Sequence, residues 1–177
     1  SPPKRVLLAV SGTLQDGFEL RGNLDHPEAS ALLVGIAVSA VFGSFVATVV
    51  ELEMQADKGI RIERLVSAID CGLVTNPTSV LAQIEGGTLF GLSASLFNEI
   101  TIEQGQVQQR NFNTYRQLRI GEAPGVEVHI VPSTESPGGV GETGTALIGP
   151  ALLNALAAAS GERLRRLPLS RAGYFPV

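Results

Sequence analysis

The stretch Ser136-Pro137-Gly138-Gly139-Val140-Gly141-Glu142-Thr143-Gly144 sets one acid inside a run of glycines. Glycine lets a backbone take positive φ and come close to a ligand, so such a loop suits a binding site. An apolar run from about Ala146 or Pro150 to Ser160, stopped by Gly161, predicts a helix just downstream. A helix N-terminus stabilises nearby negative charge. Glu142 would stay ionised there, as a general base must. A second role is open to it, because acids are also common in first turns as helix caps. Gly139-x-Gly141-x-x-Gly144 also matches the dinucleotide-binding pattern. That pattern requires a second parallel strand ending in an acid. Glu162 has about the right spacing, but Arg163-Leu164-Arg165-Arg166-Leu167-Pro168 is no buried strand, so we reject the nicotinamide reading.

A second glycine-bearing segment is Gln83-Ile84-Glu85-Gly86-Gly87. Asn76 can cap a helix whose first turn holds Pro77. Val80, Leu81, Ile84, Leu89, Leu92 and Leu96 then recur at helical spacing. Gly86, Gly87 and Gly91 inside that helix cost about 1 kcal/mol each relative to Ala, which predicts close approach of a backbone or a ligand. Cys71 is the only cysteine, and reads as a small buried residue rather than a nucleophile. His26 and His129 have no metal-ligand spacing, so no metal site is expected from side chains. Two histidines and no serine elbow also rule out a hydrolase triad.

The elements that must position these residues mix strands and helices without regular alternation. Val34 to Glu53 reads as strand, with a turn or bulge at Gly43-Ser44. Asp57-Lys58-Gly59 predicts a hairpin turn. Ile60, Ile62, Leu65 and Val66 alternate with Arg61, Glu63 and Arg64, whose charges read as a solvated face. A second hairpin is expected from Ile100 to Gln109, turning at Gln104-Gly105, and a strand at Val126 to Ile130. Pro150 is expected in the first turn of the last helix. Residues 1–33 remain unplaced; Val6 to Val10 is a possible short strand. The fold class is therefore α+β, mainly antiparallel, with two principal helices and one domain over 34–177.

Bulk properties narrow the function classes. Apolar residues make up 44% of the 177 and charged residues 17%, which excludes a charge-rich disordered chain. A net charge of −4 with no long basic run argues against nucleic-acid binding. Ala31 to Val50 is long enough to cross a bilayer but is broken by Gly35, Ser39, Gly43, Ser44 and Thr48, so no membrane span is expected there. No secretion signal is present in the chain, and a cytoplasmic or periplasmic location is the expectation. The Arg163, Arg165 and Arg166 cluster reads as solvated.

Several stretches, in order, resemble the large subunit of the xanthine dehydrogenase/aldehyde oxidase family: Ala68-Ile69-Asp70-Cys71-Gly72-Leu73-Val74-Thr75-Asn76-Pro77, then Gln83 to Leu92, Asn111 to Arg116, Glu127 to Pro132, and Ser136 to Gly144. The detail is similar to the isoquinoline 1-oxidoreductase β-subunit group, from about Gly35 to Leu169. The resemblance implies a fragment-like second molybdenum-cofactor-binding domain of a hydroxylase. Such an enzyme hydroxylates an aldehyde or N-heterocyclic carbon with oxygen from water. Glu142 matches the catalytic base and Gln83 a residue that hydrogen-bonds the pterin. Gly86 and Gly87 match the backbone beside the cofactor, and Gly139, Val140 and Gly141 the loop around the metal. The implied cofactor is molybdopterin, in its cytosine dinucleotide form, incomplete or absent in this chain alone. The implied partners are the remaining large-subunit segments, an iron–sulfur subunit, a small-molecule substrate and a second copy of the chain. The alternative is a non-catalytic assembly or interaction domain that keeps the fold without the cofactor.

Overall fold

A computed structural model describes residues 33–177; the expected strand at Val6 to Val10 lies outside them. Strands β1 (Leu33–Val41), β2 (Ser44–Met54) and β3 (Gly59–Asp70) form an antiparallel meander. Phe42 and Gly43, at φ 52° and 78°, make the β1–β2 turn. Positive φ at both central residues matches the twist of the flanking strands. At the β2–β3 turn, Gly59 N donates to Asp57 Oδ1 and Gln55 N to Gly59 O. Strand β6 (Val126–Ile130) joins the far side of β3 in parallel, and the short β7 (Phe175–Pro176) also runs parallel to β3. A separate two-stranded hairpin, β4 (Ile102–Glu103) and β5 (Gln106–Val107), turns at Gln104-Gly105 as expected.

Helices α1 (Pro77–Leu96) and α2 (Thr143–Ser160) lie together on one face of the sheet. The β2–β3 register slips between Glu51 and Leu52, leaving Glu63 as an extra residue on β3. That bulge changes the parity of β3. Ile60 and Ile62 before it, and Leu65 and Ile69 after it, can therefore all face the helices. The same slip turns Arg64 to the reverse face. It is not part of a solvated face as its sequence suggests: it is half-buried and paired with Glu127 on β6.

Two expectations about α2 need correction. It begins at Thr143, a turn earlier than the apolar run suggests, and Pro150 lies inside it rather than in its first turn. The reason is packing. A Cβ on Gly144 would stand 2.7 Å from Ile84 O of α1, and one on Gly91 would stand 2.5 Å from Ile148 Cγ2 of α2. Small residues let the two helices press together, and this contact extends α2 beyond what propensity alone supports. Pro150 lacks an amide proton and crowds the carbonyl four residues back, a local cost that the buried flanks Gly149 and Ala151 offset. By length and hydropathy α2 could cross a bilayer, but half of it is buried in this core.

Candidate functional site

The glycine-rich loop is fixed before it reaches Glu142. Gly138 N donates to Cys71 O at 2.9 Å, beyond the end of β3. Gly139 N donates to Phe42 O at 2.8 Å, and Ser44 Oγ donates to Gly139 O at 2.7 Å. The two glycines make this possible. A Cβ on Gly138 would lie 2.4 Å from Ser44 Oγ, and one on Gly139 would lie 2.9 Å from Phe42 Cβ. The loop therefore lies flush on the β1–β2 turn. Gly72, at φ 73°, gives the same closeness on the other side, where a Cβ would meet Ser136 O at 2.2 Å. Val140 then packs against the core cluster of Val46, Ile69 and Val80.

Glu142 occupies the N-cap position of α2, yet its side chain makes no capping hydrogen bond. The cap role left open by its sequence position is thus not the one its carboxylate takes. The residue lines a cavity of about 580 Å³. From the loop and α2 come Gly141, Glu142, Thr145 and Ala146; from α1 come Gly86, Gly87 and Phe90; from the β1 end come Val41 and Phe42. That volume falls within the usual range for small-molecule sites, about 300–1,000 Å³.

The structure brings four of the sequence candidates together around this cavity: Gly86, Gly87, Gly141 and Glu142. Gln83 is exposed on α1, three residues before Gly86, and so on the same helix face. Gly139 and Val140 face the β1–β2 turn and the core; they hold the loop and do not line the cavity. The glycines differ in what they are for. Gly87 has Thr145 atoms 3.2–3.3 Å from a would-be Cβ, so the helix–helix contact explains it. Gly86 and Gly141 have no atom within 4 Å of one. Among the described residues nothing requires glycine at Gly86, although it costs a helix about 1 kcal/mol. A Cβ there would project into open space at the cavity floor.

Sequence reasoning missed Phe42 and Phe90, which are 64% and 63% exposed. The available signal was the helical interval: Phe90 stands four residues after Gly86. Among the described residues no group of three or more His, Cys, Asp or Glu could hold a metal ion. Cys71 is buried, and burial pushes its thiol pKa up, as expected of a packing residue rather than a nucleophile.

Residues 34–124 match the profile of the molybdopterin cofactor-binding domain. That stretch contains Gln83, Gly86 and Gly87 but ends before Glu142. The chain is 34% identical over 142 residues to isoquinoline 1-oxidoreductase subunit beta of Brevundimonas diminuta, covering 80% of this chain and 18% of that protein. It is 42% identical over 113 residues to the membrane-bound aldehyde dehydrogenase [pyrroloquinoline-quinone] of Gluconacetobacter polyoxogenes, covering 64% of this chain and 15% of that protein. In fold it is similar to quinoline 2-oxidoreductase from Pseudomonas putida 86, with a TM-score of 0.66 at 20% identity over 71% of this chain and 17% of that one. The chain thus spans only 15–18% of the length of these relatives.

Proposed function

The chain belongs to the molybdopterin cofactor-binding domain family, and we propose that it forms one wall of the cofactor site of a molybdenum hydroxylase and supplies its base, Glu142. The observation that carries this reading is the cavity itself. One uncapped carboxylate faces a floor where Gly86 and Gly141 leave room that any side chain would fill. A flat, bulky pterin fits such a floor, and the residues present suit the group.

Gln83 would hydrogen-bond the pterin through its side-chain amide. Gly86 and Gly87 would let it lie along the α1 backbone, and Gly141 would keep the loop clear of the metal. When bound, the cofactor supplies the two-electron redox chemistry that puts oxygen from water onto a carbon. Glu142 takes up the proton released in that step at a carboxylate oxygen. The substrate class is an aldehyde or an N-heterocycle, and the relatives' names support both. The cytosine dinucleotide form of the cofactor, an iron–sulfur partner and the rest of the large subunit belong to the same reading.

The test uses the enzyme assembled from the full-length subunit. Glu142→Gln should lower kcat by about 10²-fold or more, the usual share of a general base. Its molybdenum and pterin content should equal the parent's. Unchanged turnover would remove Glu142 from the mechanism. A parent enzyme without molybdenum would favour the non-catalytic domain instead.

A further inference from the structure

We propose that the groove lined by Arg163, Arg165, Arg166 and Arg171, at the other end of α2 from Glu142, is a second ligand site that takes a phosphomonoester dianion. It stands apart from the reading of Glu142 as a base.

The first observation is convergence. The chain has a net charge of −4, yet four of its 13 Lys and Arg fall between residues 163 and 171. Their sequence reads as a solvated cluster, whereas the structure sets all four along one groove of about 480 Å³. Spacing alone does not give this. In an extended segment Arg165 and Arg166 would point to opposite sides. The chain bends at Arg166 and Leu167, and the short 3-10 turn Leu169–Ala172 returns Arg171 to the same lining. Like charges gathered in this way repel one another, and a bound anion offsets that repulsion.

The second observation is charge balance. Arg171 pairs with Glu99, and Glu162 is the acid of the lining. Among the described residues Arg163, Arg165 and Arg166 form no ion pair. Four guanidinium groups thus meet two carboxylates, and two positive charges are left over. A phosphomonoester carries about −1.5 to −2 at pH 7 and offers three acceptor oxygens. Guanidinium forks donate to such oxygens in bidentate pairs. The third observation is the lining itself. Leu164 and Ala172 give the groove an apolar side, on which the carbon skeleton of an ester can lie. Its volume falls within the usual small-molecule range, about 300–1,000 Å³. The site is also separate. Glu142 stands at the N-terminus of α2, and the groove follows its C-terminus 18 residues later, ~27 Å along the axis.

The test is calorimetric titration of the full 177-residue chain with phenyl phosphate and with its monoanionic methyl ester. Arg163→Gln and Arg165→Gln are compared with Arg61→Gln, which removes an exposed charge from β3. Saturable binding of phenyl phosphate is expected, about 10-fold tighter than that of the methyl ester. Each groove variant should weaken it about 10-fold, the loss of one charge-assisted hydrogen bond, and Arg61→Gln should leave it unchanged. Tm should stay within about 2 °C of the parent, since these side chains are exposed. Should a Gln variant melt early, Arg165→Lys replaces it: the charge is kept and the fork is lost, so binding should still weaken. No saturable binding, equal binding of the two esters, or an equal loss in Arg61→Gln would overturn the site and leave a solvated cluster. A hexa-aspartate peptide bound more tightly than phenyl phosphate would overturn the ligand class in favour of an acidic polypeptide. In the enzyme assembled from the full-length subunit, the groove variants should keep the parent's molybdenum and pterin content. A fall would assign the groove to the cofactor's own phosphates and overturn the proposal. Phosphatidylcholine vesicles with and without phosphatidate separate the two sources of the dianion. Sedimentation with phosphatidate vesicles, reversed by phenyl phosphate, identifies a lipid headgroup; its absence identifies a soluble ester, and both results uphold the site.

Discussion

Glu51 is 2% exposed on the sheet face turned away from the helices, and among the described residues its Oε1 has no hydrogen-bond partner. Burial, partly countered by Arg64 and reinforced by Glu127, raises its pKa from 4.5 to about 7. A carboxyl with a higher pKa folded than unfolded supports folding fully below about 4.5, and that support is lost as pH rises to about 7. Glu51→Gln cannot ionise. It should raise Tm over the parent at pH 8 by about 2–4 °C, the equivalent of about 1 kcal/mol in a domain this size. At pH 4 the two should melt together. Thermal scans at both values check this, and an equal gain at both would mean that ionisation is not the cause. Glu127 behaves oppositely. The hydrogen bond from Arg64, ahead of that from His129, lowers its pKa, so its contribution is present above the ordinary carboxylate range and is lost on acidification. Glu142 was legible because its glycines and its place before a helix are sequence features. Glu51 was not, because its burial depends on a strand register that no local pattern states. Phe42 and Phe90 were illegible for a related reason: an aromatic residue is expected in a core, and only the fold shows that these two face a cavity.

Packing at the level of elements separates glycines that look alike in sequence. A Cβ on Gly35 of β1 would fall 2.0 Å from Ala151 O and 2.3 Å from Ala155 N of α2. Both are backbone atoms and cannot swing away, so Gly35→Ala should destabilise by about 1–3 kcal/mol or abolish folding. Gly86→Ala should do the reverse. Nothing stands within 4 Å of its Cβ, and alanine at an exposed helix position gains about 0.5–1 kcal/mol over glycine. Urea midpoints of the isolated chain would order the variants Gly86→Ala, parent, Gly35→Ala. On the proposed reading of the cavity, Gly86→Ala should lower molybdenum content in the assembled enzyme although the domain is more stable, because its methyl group would enter the floor assigned to the cofactor. A variant both more stable and fully loaded would show that Gly86 is not part of that floor. Strands β1 to β6, the hairpins at Asp57-Lys58-Gly59 and Gln104-Gly105, and α1 were legible because period-two patterns, turn residues and the Asn76-Pro77 start are local signals; β7 was not, because its two residues are strand only through pairing with β3. The early start of α2 was not, since it depends on Gly144 meeting Ile84 across the helix pair.

At the scale of the molecule, the core is one layer of sheet under two helices, and several exposed apolar side chains fall in one stretch of the sequence, residues 100–120. Ile100, Ile102 and Val107 are exposed at the β4–β5 hairpin, and Phe112 and Ile120 are exposed in the segment that follows. A contiguous apolar patch of more than a few hundred Å² marks an interaction surface in most soluble proteins. The chain covers only 15–18% of its curated relatives' length. Among the described residues the short hairpin also pairs with no further strand. In water the cheapest cover for such a face is another copy of itself. The isolated chain should therefore self-associate, with a light-scattering mass that rises with concentration. Ile102→Glu with Ile120→Glu should restore a monomer without changing Tm by more than about 2 °C, because both side chains are at the surface and such substitutions usually fall within about 0.5 kcal/mol. In the assembled enzyme the same pair should weaken subunit recovery if this face is covered there. A constant monomer mass for the parent chain would show that the patch is tolerated by water and holds no partner.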